Sequence, residues 1–137
     1  MKHKFLKSVA GLAMFASAFA FAQTPYPTKP ITMIVPFAAG GPTDTVARLV
    51  AQSMTNTLKQ TVLVENVGGA GGTIGAARVA KSAPDGYTLF LHHIGQSTAP
   101  SLYRKLSYNA IDDFEPIGLI TDVPMTFIAR GDFPAKD

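Results

Sequence analysis

Apolar and polar positions along the chain follow two alternating periods. Residues 31–36 (Ile-Thr-Met-Ile-Val-Pro) form a short, nearly continuous apolar run with β-branched members, which predicts a strand covered on both faces. From Thr43 a helical period takes over, with Val46, Ala47, Val50, Met54 and Leu58 at three- and four-residue steps. Pro42 and Thr43 read as its start, because proline suits a first turn and a threonine oxygen can cap free amides. Gln60 ends that helix, and Thr61–Glu65 predicts a second strand. Ile74–Ala80 is an alanine-rich helix stopped by Ser82-Ala83-Pro84-Asp85-Gly86, and Tyr87–His92 is strand three. Strand–helix–strand alternation of this kind predicts a parallel sheet with right-handed crossovers.

The remainder is less regular. Gln23–Pro30 is a proline-rich, extended lead-in. His93–Pro100 reads as a polar loop, Ser101–Leu106 as one helical turn and Asn109–Glu115 as an acidic connection. Ile117–Thr121 and Met125–Ala129 are further strand candidates, broken at Asp122–Pro124. Two substantial helices are too few to cover both faces of such a sheet. The stretch from Phe133 to Asp137 reads as the approach to another helix, so the pattern predicts the N-terminal piece of a longer protein.

Composition changes the picture mainly at the N-terminus. The 137 residues carry a formal charge of +3, which by itself hints at a nucleic-acid partner. Lys2, Lys4 and Lys7 instead precede an apolar run from Val9 to Phe21 that ends in Ala20-Phe21-Ala22, the three-part pattern of an export signal cut after Ala22. The run is short of the roughly 20 residues that a membrane-spanning helix needs. Removing residues 1–22 takes three of the twelve Lys and Arg residues and none of the nine acidic ones, which leaves a neutral chain. The expectation is an exported, periplasmic protein with no membrane anchor after cleavage and no nucleic-acid partner. The absence of cysteine excludes disulfides and thiol chemistry.

Candidate chemistry sits in two glycine loops, each leading from a strand end into a helix. In open α/β sheets ligands bind outside the carboxyl ends of the strands, where the free amides and dipole of a helix N-terminus favour anions. Gly40 and Gly41 lack β-carbons, so a ligand can approach the backbone; a branched residue at Gly41 is expected to block that approach and to strain the loop. Asp44 either caps its own helix or orients the loop. The second loop, Gly68–Gly75, contains no G-x-G-x-x-G spacing, and the chain has no Walker A, G-x-S-x-G or H-E-x-x-H motif. His92 and His93 are neighbours on a strand and therefore a poor chelating pair. His92 reads as a strand-end packing or hydrogen-bonding residue, and His93 as a candidate ligand contact. Ser97 and Thr98 can offer hydroxyls. Tyr103, Tyr108 and Phe114 read as packing beneath the loops. Catalytic residues, metal ligands and cofactors are not expected.

Three phrases in order then carry a resemblance. Ile34-Val35-Pro36-Phe37-Ala38-Ala39-Gly40-Gly41-Pro42-Thr43-Asp44, with Ala47-Arg48, resembles the opening motif of Bug-type periplasmic receptors of tripartite tricarboxylate transporters. Val64-Glu65-Asn66 with Gly69–Gly75 resembles that family's second motif, although Val67-Gly68 stands where the family has a basic residue and proline. Ser82–Leu89 resembles its third, and Asp113–Ile117 a later phrase. The resemblance covers nearly all of Tyr26–Asp137.

It implies an α/β fold: a partial first lobe of a two-lobed, Venus-flytrap periplasmic-binding-protein fold, mainly parallel sheet with flanking helices. Residues 23–122 would be the first part of lobe one, and residues 123–137 the hinge crossing and the start of lobe two. It further implies capture of a small carboxylate (tricarboxylate, dicarboxylate or amino-acid-like) for the transporter's membrane permease subunits, by a protein that is a monomer when full length. Carried over by position, Phe37, Ala39, Gly40, Gly41 and Asp44 would hold the carboxylate, with Gly72 and Thr73. His93 and Ser97, read from their place at the ligand end of the sheet, complete the candidate set. The competing readings are an exported nucleotide- or phosphate-handling enzyme that uses the same loops, and a structural fragment without ligand affinity.

Overall fold

The computed structural model describes residues 25–122, 124, 126, 128–131 and 134. The segment read as an export signal lies outside them. So do residues 123, 125 and 127, and with them parts of the break at Asp122–Pro124 and of the Met125–Ala129 strand candidate.

Strand β1 (Ile31–Val35) is central and runs parallel to β2 (Val62–Asn66) on one side and β3 (Thr88–Phe90) on the other. Between them lie helix α1 (Pro42–Leu58), a single 3₁₀ turn (Ala70–Gly72) and helix α2 (Thr73–Ala80); helix α3 (Gly95–Leu102) follows β3. The parallel sheet predicted from the pattern is therefore present. Ile31, Met33 and Val35 point to one face and pack against Ala47 and Ala51 of α1, with Val50, Met54 and Leu58 around them. Ile34 faces the other way and is equally buried, as a strand covered on both faces requires. The α1 stripe ends where Lys59 turns into the left-handed region and donates its amide to Thr55 O at 3.0 Å.

Several boundaries differ from the sequence reading. Gly41 in extended backbone, not Thr43, precedes the first turn of α1, and no side chain caps that turn. Strand β3 is three residues long, since Leu91 makes one further bond to Ile34 O and the chain then turns away. The expected polar loop at His93–Pro100 is mostly helix α3, and of the expected turn at Ser101–Leu106 only Ser101 and Leu102 are helical. The stretch Ile117–Thr121 joins no strand ladder among the described residues, and Ile117, Leu119 and Ile120 are exposed. A strand exists only by pairing, and an apolar run does not itself supply the partner.

The lead-in is fastened to the turn before β3. Tyr26 Oη donates to Gly86 O at 2.6 Å, the Thr28 amide donates to Tyr87 Oη at 2.9 Å, and Lys29 pairs with Asp85 at 3.3 Å. Asp85 also accepts the Tyr87 amide at 3.0 Å, a local turn that stops the chain after α2 and aims it into β3.

Candidate functional site

The strand register decides what meets at the carboxyl end of the sheet. Val35 lies opposite Asn66 and Ile34 opposite Phe90, so the three strands finish at one level. The loops that leave them therefore converge: Phe37–Gly41 from β1, Val67–Gly72 from β2, and His92–His93 after β3. Direct contacts bear this out. A β-carbon on Gly68 would stand within 3.9 Å of the Phe37 and Ala38 backbone. One on Gly72 would stand 2.9 Å from His92 Nε2 and 3.3 Å from Pro36 Cβ. Gly72 is buried with φ of +96°, so glycine is required there both by the backbone angle and by the space.

Asp44 is the buried charge of this end of the fold. Its carboxylate accepts the Gly40 amide at 2.8 Å and Arg48 Nε at 2.9 Å on Oδ2, and Asn66 Nδ2 at 2.9 Å on Oδ1. Of the two sequence readings, the structure supports loop orientation rather than capping. The Arg48 hydrogen bond, joined by the Gly40 amide and Asn66, holds this carboxyl well below the usual carboxylate range, while burial works against them. The ion stays charged because its oxygens are filled. Asn66 donates also to Phe37 O at 3.1 Å and accepts Arg48 Nη2 at 3.3 Å. Neither Asn66 nor Arg48 belongs to the sequence-derived set. The one local signal was the place of Asn66 after Val64-Glu65 and immediately before the second loop, which does not reveal its partners.

The remaining candidates fall close by. Gly40 has φ of +81° and open space where a β-carbon would stand. Gly41 has φ of −78°, which any residue adopts, and a β-carbon there would only touch Ala38 O at 3.4 Å. The backbone strain expected at Gly41 therefore belongs to Gly40. Ala39 and Gly40 are exposed, Gly41 and Thr73 partly so, and Thr73 Oγ1 donates to Ala70 O at 3.0 Å. His93 stacks on Phe37 with ring centroids 4.4 Å apart, and its Nδ1 accepts the Gly95 amide at 3.1 Å. Ser97 stands in the first turn of α3, exposed, with Oγ donating to Ile94 O at 2.9 Å. An open groove of about 450 Å³ adjoins the first loop and runs along α1 past Gly40, Asp44, Thr45, Arg48 and Leu49. As expected for packing residues, Phe114 stacks on Phe90 at 5.5 Å and Tyr108 meets Phe114 edge-on at 5.8 Å.

His92 lies edge-on to Phe37 and Phe90, and its Nδ1 accepts the His93 amide at 2.7 Å, which leaves Nε2 as the protonated nitrogen of the neutral ring. Burial, reinforced by the charge of His93, pushes this imidazole down to about 4. The unfolded ring titrates near 6.5, so between those values the unfolded chain binds a proton that the folded chain does not. Stability is thus whole above pH 6.5 and is lost as the pH falls towards 4. After allowance for the ring's partial exposure the loss is about 1–2 kcal/mol. In the full-length gene product, His92→Gln is expected to flatten urea-unfolding stability between pH 7 and 4.5 by that amount. An unchanged slope would show that His92 is not the titrating group.

Residues 46–137 match the family model described as TctC, the tripartite tricarboxylate transporter family receptor. The chain belongs to this family. A UPF0065 protein of Agrobacterium vitis is 62% identical over 115 residues, covering 84% of this chain and 33% of its own length. The structure of the periplasmic binding protein BugD aligns with a TM-score of 0.71 at 64% identity, over 80% of this chain and 37% of that one. MatC from Rhodopseudomonas palustris, solved with bound malate, aligns with a TM-score of 0.64 at 50% identity, over 66% of this chain and 31% of that one. The chain thus spans about a third of the length of these TctC-type relatives. Its fold is the expected one, the parallel α/β portion of a periplasmic-binding-protein lobe. TctC is a family of receptors and not of enzymes, so the exported-enzyme alternative falls away.

Proposed function

We propose that the protein captures a small carboxylate in the periplasm and presents it to the membrane permease subunits of a tripartite tricarboxylate transporter. The observation that carries this reading is the convergence of two glycine loops at the carboxyl ends of parallel strands, with the N-terminus of the 17-residue helix α1 opening from the first. Backbone amides and a helix dipole supply local positive potential in a chain segment whose residues 23–137 carry no net charge. Malate in the MatC structure supports a dicarboxylate as the class of ligand.

In this reading the carboxylate rests against the first-loop backbone at Ala39, Gly40 and Gly41, bonded by the amides that the loop leaves open, while the Gly40 amide stays on Asp44 and fixes the loop's shape. Gly72 and Thr73 face it from the second loop, and Phe37, stacked by His93, walls the site. Asp44 acts from behind: its oxygens are taken by Gly40, Arg48 and Asn66, and it presents the loop rather than touching the anion. Ser97 borders the site from α3. Residues 1–22 act as the export signal, residues 23–122 form the first part of lobe one, and residues 123–137 begin the crossing to lobe two. The full-length receptor works as a monomer.

Isothermal titration of the full-length gene product against malate, succinate, citrate, glutamate, phosphate and ATP tests the proposal. Saturable binding of at least one of the carboxylates, with no heat from ATP or phosphate, is the expected result. Binding of ATP or phosphate alone would refute it.

A further inference from the structure

We infer that Asn66 is the positioning residue that sets the first glycine loop from the second, so that the two loops form one ligand-binding unit. The inference rests on the carboxylate reading above and names the side chain on which that site's geometry depends. Asn66 is the last residue of β2, and register places it opposite Val35, the last residue of β1. Its carboxamide has two N–H donors, and both are spent on the first loop. One goes to Phe37 O, where the loop starts, and the other to Asp44 Oδ1, where the loop has become helix. The same Asp44 carboxylate takes the Gly40 amide, the residue at positive φ in the middle. One side chain therefore holds the entry of the loop directly, and its exit and middle through one carboxylate.

The other end of the linkage is covalent. Asn66 continues into Val67, whose amide donates to Val35 O at 2.8 Å, and into Gly68, which lies against the Phe37 backbone. A displacement of the second loop at its root is passed to the backbone at Ala39–Gly41 through this chain of bonds. Asparagine is the residue this needs. Aspartate would offer no donor and would set a second carboxylate against Asp44, and alanine would leave Phe37 O and Asp44 Oδ1 without this partner.

Among the described residues, Asp44 and Arg48 on α1 bond Asn66, Glu65 precedes it on β2 and pairs with Arg78 on α2, and His92 and His93 lie against Phe37, whose carbonyl Asn66 holds. The test therefore compares variant with wild type at each pH. In the full-length gene product, with malate, succinate and citrate as probes, Asn66→Ala is expected to weaken binding about 10- to 100-fold at equal folded fraction. It is also expected to speed hydrogen exchange at the Gly40 amide while the interior of α1 stays protected. Asn66→Asp is expected to bind poorly at pH 7.5 and to recover relative to wild type as the pH drops to 5.5, because a protonated carboxyl regains one donor towards Asp44. A purely structural role would lower the melting temperature and leave both the exchange at Gly40 and the pH-dependent ratio unmoved. Wild-type binding of a probe with unaltered Asn66→Ala affinity overturns the inference alone. Wild type that binds none of the probes overturns the carboxylate reading and removes the inference's ground.

Discussion

Valine at Gly75 is expected to cost the full-length protein about 3 kcal/mol of stability. Gly75 is buried in the first turns of α2, where that helix crosses the end of β1. A β-carbon there would lie 2.8 Å from Val67 O, 2.9 Å from Pro36 Cβ and 3.1 Å from Pro36 Cα. Two of these three atoms are backbone, so no rotamer change relieves the clash, and α2 must lift from the sheet. Alanine is expected to lose less, because its better helix propensity returns about 1 kcal/mol. Gly40→Ala makes the contrast: its β-carbon meets open space, and only the left-handed backbone costs it, about 1–2 kcal/mol. Urea unfolding of the three variants orders them. A Gly75→Val protein within 0.5 kcal/mol of wild type, about the size of a neutral surface change, would show that α2 is not seated as described.

Valine at Gly41 is expected to weaken carboxylate binding by roughly 2–4 kcal/mol, about 30- to 1,000-fold, with little change in stability. The φ of −78° admits valine, and its β-carbon touches only Ala38 O. The branched side chain instead occupies the space over the loop amides. A replacement at Lys59, at the far end of α1, serves as the control and is expected to leave affinity unchanged. A folded Gly41→Val protein that binds its carboxylate within threefold of wild type would remove the first loop from the site.

What the sequence made legible follows from where the determining signal lies. Strand β1 was readable because burial on both faces writes a nearly continuous apolar run, β2 because Val62-Leu63-Val64 is a short β-prone run even though Leu63 is exposed, and the glycine loops because tight turns select glycine locally. Helix α3 was not readable. Its Gly-Gln-Ser-Thr-Ala-Pro-Ser-Leu sequence has no apolar period and carries Pro100, yet Ser97 and Thr98 hydroxyls bond Ile94 O and Ala99 buries. Asp44 stayed ambiguous because capping and loop orientation ask for the same residue type. Only the register that brings Asn66 opposite Val35 distinguishes them. For the same reason Asn66 and Arg48 escaped the candidate set, since their roles depend on partners 22 and 4 residues away.

The central claim is that the amides of the first loop, faced by the second, hold a carboxylate. It is tested most directly by following backbone amide resonances of the full-length gene product during titration with malate. The account predicts that the largest shifts fall at Ala39, Gly40, Gly41, Gly72 and Thr73, saturate together, and are absent at Lys59 and Lys81. Saturable shifts confined to other parts of the chain, with these five amides unmoved, would contradict it.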